Sequence, residues 1–200
     1  MDCANCKLDN ACYKGKSCYD QGVIQPEYDD EENRRILTIA SKLEAEYYMQ
    51  ITRLEEVIRF SREMGFKRLG VAFCVGLSQE AKSITAILSK YFKVDSVCCK
   101  VCGVNKKEFN IPNIKPERYE AACNPVGQAS YLKKAETELN LIVGLCVGHD
   151  ILFTKSSAAP VTTLVVKDRI LAHNPLGAIY SNYWRRKLDN LEIPTSLSRL

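Results

Sequence analysis

Two hundred residues suit one domain, or one domain with a small appendage. Twenty-eight Lys and Arg against 24 Asp and Glu leave a net charge of +4, and 26% charged with 46% hydrophobic residues is ordinary globular usage, which excludes disordered, fibrous and collagen-like chains. The basic residues are interleaved with acids rather than gathered in a stripe, so no nucleic-acid partner is expected, and ten cysteines are the exceptional feature.

The chain opens Met1-Asp2-Cys3 with no basic region followed by an apolar run, and no stretch approaches the roughly 18 apolar residues that span a bilayer. A cytoplasmic setting away from membranes is therefore expected, where cysteine-dense patterns serve metals or thiol chemistry rather than disulfide staples. Residues 1–28 hold Cys3, Cys6, Cys12 and Cys18 and almost no aliphatic side chains beyond Leu8, Val23 and Ile24. Such a segment cannot bury a core, and a bound metal would order it.

Asp29-Asp30-Glu31-Glu32 places acids at a helix N-terminus, and Ile36, Ile39, Ala40, Leu43 and Tyr47 follow at helical spacing. Ile51, Leu54, Val57 and Ile58 continue the pattern to Met64, so one long helix or two consecutive ones are expected over 30–64, closed by Gly65. Arg68 to Cys74 reads as a strand, Glu80 to Phe92 as a helix with Ser78 as its N-cap, and Lys93 to Cys99 as a second strand, which together make a parallel βαβ unit. A helix over 127–138 and strands over 141–146 and 161–166 extend the alternation. Cys102 to Asn124 reads as a long irregular loop of the kind that is functional or mobile, and residues 193–200 as a fraying tail. The expected fold is α/β: a three-layer, mostly parallel, Rossmann-like sheet over 29–200 with a leading helical segment, preceded by an N-terminal four-cysteine metal knuckle over 1–28.

Cys3-x2-Cys6-x5-Cys12-x5-Cys18 supplies four soft donors at a spacing that suits tetrahedral zinc, with thiolates about 2.3 Å from the metal. A four-iron cluster also takes four thiolates, although the spacing matches neither common ferredoxin run. The remaining cysteines fall at strand ends: Cys74 after the first, Cys98 and Cys99 after the second, Cys146 after the third, with Cys102 and Cys123 on the loop between. In open parallel sheets ligands bind outside the carboxyl ends of the strands, so these thiols have a common place to meet. Adjacent strand residues point to opposite faces, which leaves open whether Cys98 or Cys99 turns inward.

Gly144-Leu-Cys-Val-Gly-His-Asp150 sets Cys146 and His149 on one turn, where His149 is either a further metal ligand or an acid/base group and Asp150 a partner for its imidazole. Dinucleotide and P-loop fingerprints are absent, and the basic run at Tyr183-Trp184-Arg185-Arg186-Lys187 is too short to mark a nucleic-acid surface.

Cys3-Ala-Asn-Cys6, Gly70-Val-Ala-Phe-Cys74-Val-Gly-Leu77, Ser96-Val-Cys98-Cys99-Lys100, Cys123-Asn-Pro125, Gly144-Leu-Cys-Val-Gly-His-Asp150, Ala159-Pro160-Val-Thr and Lys167-Asp-Arg-x-Leu-x-His-Asn-Pro175 together resemble a family of uncharacterised cysteine-rich proteins of bacteria and archaea, a domain of unknown function. The resemblance implies metal binding but no substrate or reaction. It also implies that glycine often stands at the position of Cys102, which argues against Cys102 as a ligand. The expected function is metal binding, zinc or iron–sulfur, at two sites: Cys3, Cys6, Cys12 and Cys18, and a thiolate-rich second site drawn from Cys74, Cys98, Cys99, Cys123, Cys146 and His149. The alternatives are a thiol enzyme with Cys146 as nucleophile and His149 as base, and a metal or redox sensor acting through a protein partner.

Overall fold

A computed structural model of the chain describes residues 2–8, 11–17 and 19–192, so Cys18 and the expected tail over 193–200 lie outside the described residues. The chain divides into two compact units, 1–51 and 52–200. In the first, 3-10 turns at Cys3–Asn5, Gln21–Val23 and Gln25–Tyr28 lead into α1, Glu31–Tyr47. Asp30 caps this helix by accepting from the Asn33 N–H at 2.8 Å, and Glu31 and Glu32 in its first turn favour the positive end of the dipole. Ile39 and Leu43, four residues apart, are its buried positions. The expected helical stretch is thus two helices. Met49 adopts φ 57°, and Thr52 then caps α2, Arg53–Glu63, by accepting from the Glu55 N–H.

The second unit is an α/β fold with a four-stranded, wholly parallel sheet in the order β2-β1-β3-β4. The strands are β1 (Arg68–Phe73), β2 (Lys93–Cys98), β3 (Leu139–Val143) and β4 (Val161–Val165). Between them run α3 (Ser78–Leu88), α4 (Pro125–Lys134) and α5 (His149–Ser156), and α6 (Gly177–Tyr180) and α7 (Asn182–Asp189) follow. Alternation along the strands sorts their side chains to two sides. Leu69, Val71, Leu139, Leu141 and Val143 pack with Val57 of α2 and Leu88 of α3. Ala72 and Ile142 pack with Ala129 and Leu132 of α4 and Phe153 of α5.

Several boundaries differ from expectation for local reasons. The helix expected over 127–138 begins at Pro125, which fits the first helical position because it needs no N–H partner, and Asn124 caps it by accepting from the Gly127 N–H at 2.8 Å. It stops at Lys134, and Glu136 turns to φ 54°. Ser78 is the first residue of α3 rather than its cap, and that helix ends at Leu88. The third strand ends at Val143, so Cys146 sits beyond it, past a turn at Gly144.

The 102–124 loop is clipped shut rather than loose. Lys106 N–H donates to Glu120 O and Ala122 N–H to Val104 O, and the Lys106 ammonium meets the Glu120 carboxylate at 2.6 Å. Glu120 also accepts from the Ile114 and Lys115 N–H groups, at 3.1 and 2.9 Å.

Candidate functional site

The chain leaves β1 toward β2 on one side and returns to pair β3 on the other, so strand order reverses between β1 and β3. Outside the carboxyl ends of those strands lies the usual ligand crevice of an open parallel sheet. Cys74 extends β1 by one residue and donates its N–H to Val143 O at 3.1 Å. Cys99 extends β2 in the same way, donating to Phe73 O at 2.8 Å. Cys123 is drawn back to this edge because the Asn124 N–H donates to Cys99 O at 2.8 Å, just where the loop closes and α4 begins. Cys146 arrives from β3 through Gly144, whose φ of +66° and 1.9 Å approach of a Cβ to Leu77 Cδ1 admit no side chain. The Cys146 carbonyl then accepts from the His149 and Asp150 N–H groups, at 2.9 and 3.1 Å, starting α5.

Each of three sulfurs has a cation of its own. Lys100 Nζ donates to Cys123 Sγ at 3.3 Å and to Ala121 O at 2.7 Å. Lys167 Nζ donates to Cys74 Sγ at 3.4 Å, and Arg169 Nη2 to Cys146 Sγ at 3.0 Å. Lys167 and Arg169 are presented by a folded turn after β4. The Asp168 carboxylate accepts from the Ile170 and Leu171 N–H groups, and the Asp168 N–H donates to His173 Nδ1 at 3.1 Å. His173 therefore has a positioning role within this turn.

Cys99 and Cys123 pack in one cluster, close enough for one thiol to hydrogen-bond the other. Cys99 is buried and also accepts from the Val75 N–H at 3.3 Å, whereas Cys123 is half-buried. The bond from Cys99, then the Lys100 ammonium, pull the Cys123 thiol down to about 5 from its ordinary 9.0, with a further contribution from His149. Donating that bond, together with burial, pushes Cys99 up. The Lys100 ammonium meets Cys123 and not Cys99, which favours charge on Cys123. The bond to Cys146 raises Arg169 further.

Cys74, Cys99, Cys123 and Cys146 are thus brought to one edge. Among the described residues Cys146 Sγ meets the Arg169 guanidinium rather than the His149 imidazole. Cys98 accepts from the Lys100 N–H at 3.5 Å, and its neighbour Cys99 is the one that meets Cys123. Cys102, at φ 71°, is exposed and donates toward the Tyr131 hydroxyl at 3.8 Å. Cys3, Cys6 and Cys12 are exposed. Among the described residues no three Cys, His, Asp or Glu side chains lie close enough together to hold one metal ion. As placed, Cys74, Cys99, Cys123 and Cys146 do not fit one shared ion.

Sequence reasoning missed the cations. Their signal was present, since Lys100 adjoins Cys99 and Lys167 and Arg169 sit two apart just past the last strand, but nothing local pairs them with sulfurs.

Residues 16–164 match a family model described as a protein of unknown function, DUF1847. The uncharacterized protein MJ0455 of Methanocaldococcus jannaschii is 52% identical over 191 residues, covering 94% of this chain and 98% of that one. No solved structure matches the chain.

Proposed function

This chain belongs to the DUF1847 family, and from that premise we propose that the carboxyl edge of β1 and β3 is a thiol-chemistry site in which Cys123 is the ionised, reacting sulfur. The observation that carries the reading is the Lys100 ammonium 3.3 Å from the half-buried Cys123 Sγ, with the buried Cys99 packed in the same cluster. Thiolate is the nucleophilic form of cysteine, and a neighbouring cation with a hydrogen-bond donor is how a protein keeps it at neutral pH. The attacking role passes from Cys146 to Cys123, with Cys146 and Arg169 lining the opposite side of the crevice. This reading takes the second unit as a doubly wound, Rossmann-like three-layer domain in a reducing, cytoplasmic setting, where these thiols stay free.

Brief alkylation with iodoacetamide at mildly acidic pH, followed by peptide mapping, tests it. Cys123 is expected to label first and to slow in Lys100→Met. Labelling no faster than the exposed Cys102 would refute the reading.

A second reading, metal binding by zinc or an iron–sulfur centre at Cys3, Cys6, Cys12 and Cys18, is favoured by the local spacing of these cysteines on a segment with almost no aliphatic side chains. There the metal would supply order to the first 28 residues, and the four cysteines would hold it.

A further inference from the structure

We infer that Cys99 and Cys123 are a dithiol–disulfide couple whose substrates are disulfides, with Cys123 the attacking and Cys99 the resolving thiol. The inference rests on the thiolate reading above and adds its substrate class.

Three features of the geometry carry it. The two cysteines, 24 residues apart in sequence, pack in one cluster, and the backbone bond from Asn124 N–H to Cys99 O at 2.8 Å holds the two segments together beside them. Their exposures are unequal: Cys99 is 2% exposed whereas Cys123 is half-buried, so an incoming small disulfide meets Cys123 first and Cys99 only through it. Their electrostatics are unequal in the same sense, because Lys100 sits on Cys123 and not on Cys99. The other two thiols at this edge are each engaged by a cation from the turn after β4, Cys74 by Lys167 and Cys146 by Arg169, which leaves Cys99 as the buried thiol packed by Cys123.

The Cys123 thiolate attacks one sulfur of a small disulfide R–S–S–R, forming a Cys123–S–R bond as R–S⁻ leaves. Cys99 gives its proton to that leaving thiolate, and its sulfur then attacks Cys123 Sγ and expels the second R–S⁻. The products are the Cys99–Cys123 disulfide, R–SH and R–S⁻. Two protein sulfurs are oxidised and one small disulfide is reduced. A dithiol reductant reverses both steps.

The experiment treats the reduced full-length chain with glutathione disulfide, quenches it by alkylation and maps linked peptides by mass spectrometry. A Cys99–Cys123 crosslink is expected before any other. Cys99→Ser is expected to stop at glutathione on Cys123, Cys123→Ser to lose both adduct and crosslink, and Cys102→Ser to retain the crosslink. The unsubstituted chain keeps the test decisive even if a buried substitution at Cys99 impairs folding. A crosslink that forms first between other cysteines, or no crosslink while Cys123 still alkylates fastest, overturns the inference and leaves the thiolate reading standing. Absence of both crosslink and fast alkylation overturns the two together.

Discussion

A sulfur that keeps its charge in a half-buried position needs a reason at each contact, and Cys123 has two. Its pKa, pulled down to about 5 by the Cys99 thiol and by Lys100, sets a pH dependence with a definite sign. An ordinary thiol loses its thiolate as pH falls below 9.0, whereas Cys123 keeps it until pH falls through about 5. Alkylation of Cys123, followed peptide by peptide across that range, is therefore expected to stay nearly flat and then fall near the lower value. In Lys100→Met the midpoint should move up, since a cation that favours the charged form is gone. A midpoint unmoved by that substitution would remove Lys100 from the site. Cys74, Cys98 and Cys99 were legible near strand ends because apolar runs with terminal cysteines are local signals, whereas Cys146 lies beyond its strand, which stops at Val143. Their cations were not, because Lys167 lies 93 residues from the Cys74 sulfur it contacts, and no local pattern encodes such a pairing.

At the scale of elements, the contact between β1 and β3 depends on one missing side chain. A Cβ on Gly70 would lie 2.0 Å from Asn140 Oδ1 and 2.9 Å from Leu132 Cδ1. Asn140 cannot give way freely, for it is buried, accepts from the Thr137 hydroxyl at 2.8 Å and donates to the Ser157 hydroxyl at 2.8 Å. Gly70→Ala should therefore destabilise by about 1–3 kcal/mol, as overpacking of a filled core does, measured by denaturant titration. A neutral result would mean that β1 and β3 separate without cost.

The 102–124 loop makes a second prediction. Glu120 is pulled down to about 2, first by the Lys106 ammonium and then by the Lys115 and Ile114 N–H groups. Because its folded value is depressed, its contribution is fully present above the ordinary value of 4.5 and is lost as pH falls through about 2. Acid-tolerant proteolysis is expected to spare the loop near pH 4.5 and to cut it as pH approaches 2, and Glu120→Gln should open it at neutral pH. The strands were legible because their apolar runs are short and bounded, and the helices because their apolar residues recur with the helical period. The clip was not, since it joins residues 14 apart through one ion pair in a charged stretch that reads as irregular.

For the whole molecule, the alternation of strands and helices made a parallel sheet legible, but the order β2-β1-β3-β4, and with it the reversal that brings Cys74 and Cys146 to one crevice, is fixed by packing between distant segments. The first unit poses the opposite case. Its cysteine spacing is the most local signal in the chain, Cys18 lies outside the described residues, and Ala11, Ile39 and Leu43 are its buried apolar side chains among those described. Three such side chains offset little conformational entropy, at roughly 1–2 kcal/mol per residue for the backbone alone, and that is the ground for proposing a bound metal here. A structural metal supplies it in small domains by coupling binding to folding. Full-length protein purified without oxygen is expected to carry zinc or iron, and simultaneous Cys3→Ser and Cys6→Ser substitution to lower that content and to speed proteolysis within the first 28 residues. Iron with acid-labile sulfide would make the centre a cluster, and zinc in colourless protein a structural knuckle. Full retention of metal in the doubly substituted chain would refute the N-terminal site, because two of four thiolates cannot be lost from a closed tetrahedral centre without loss of affinity.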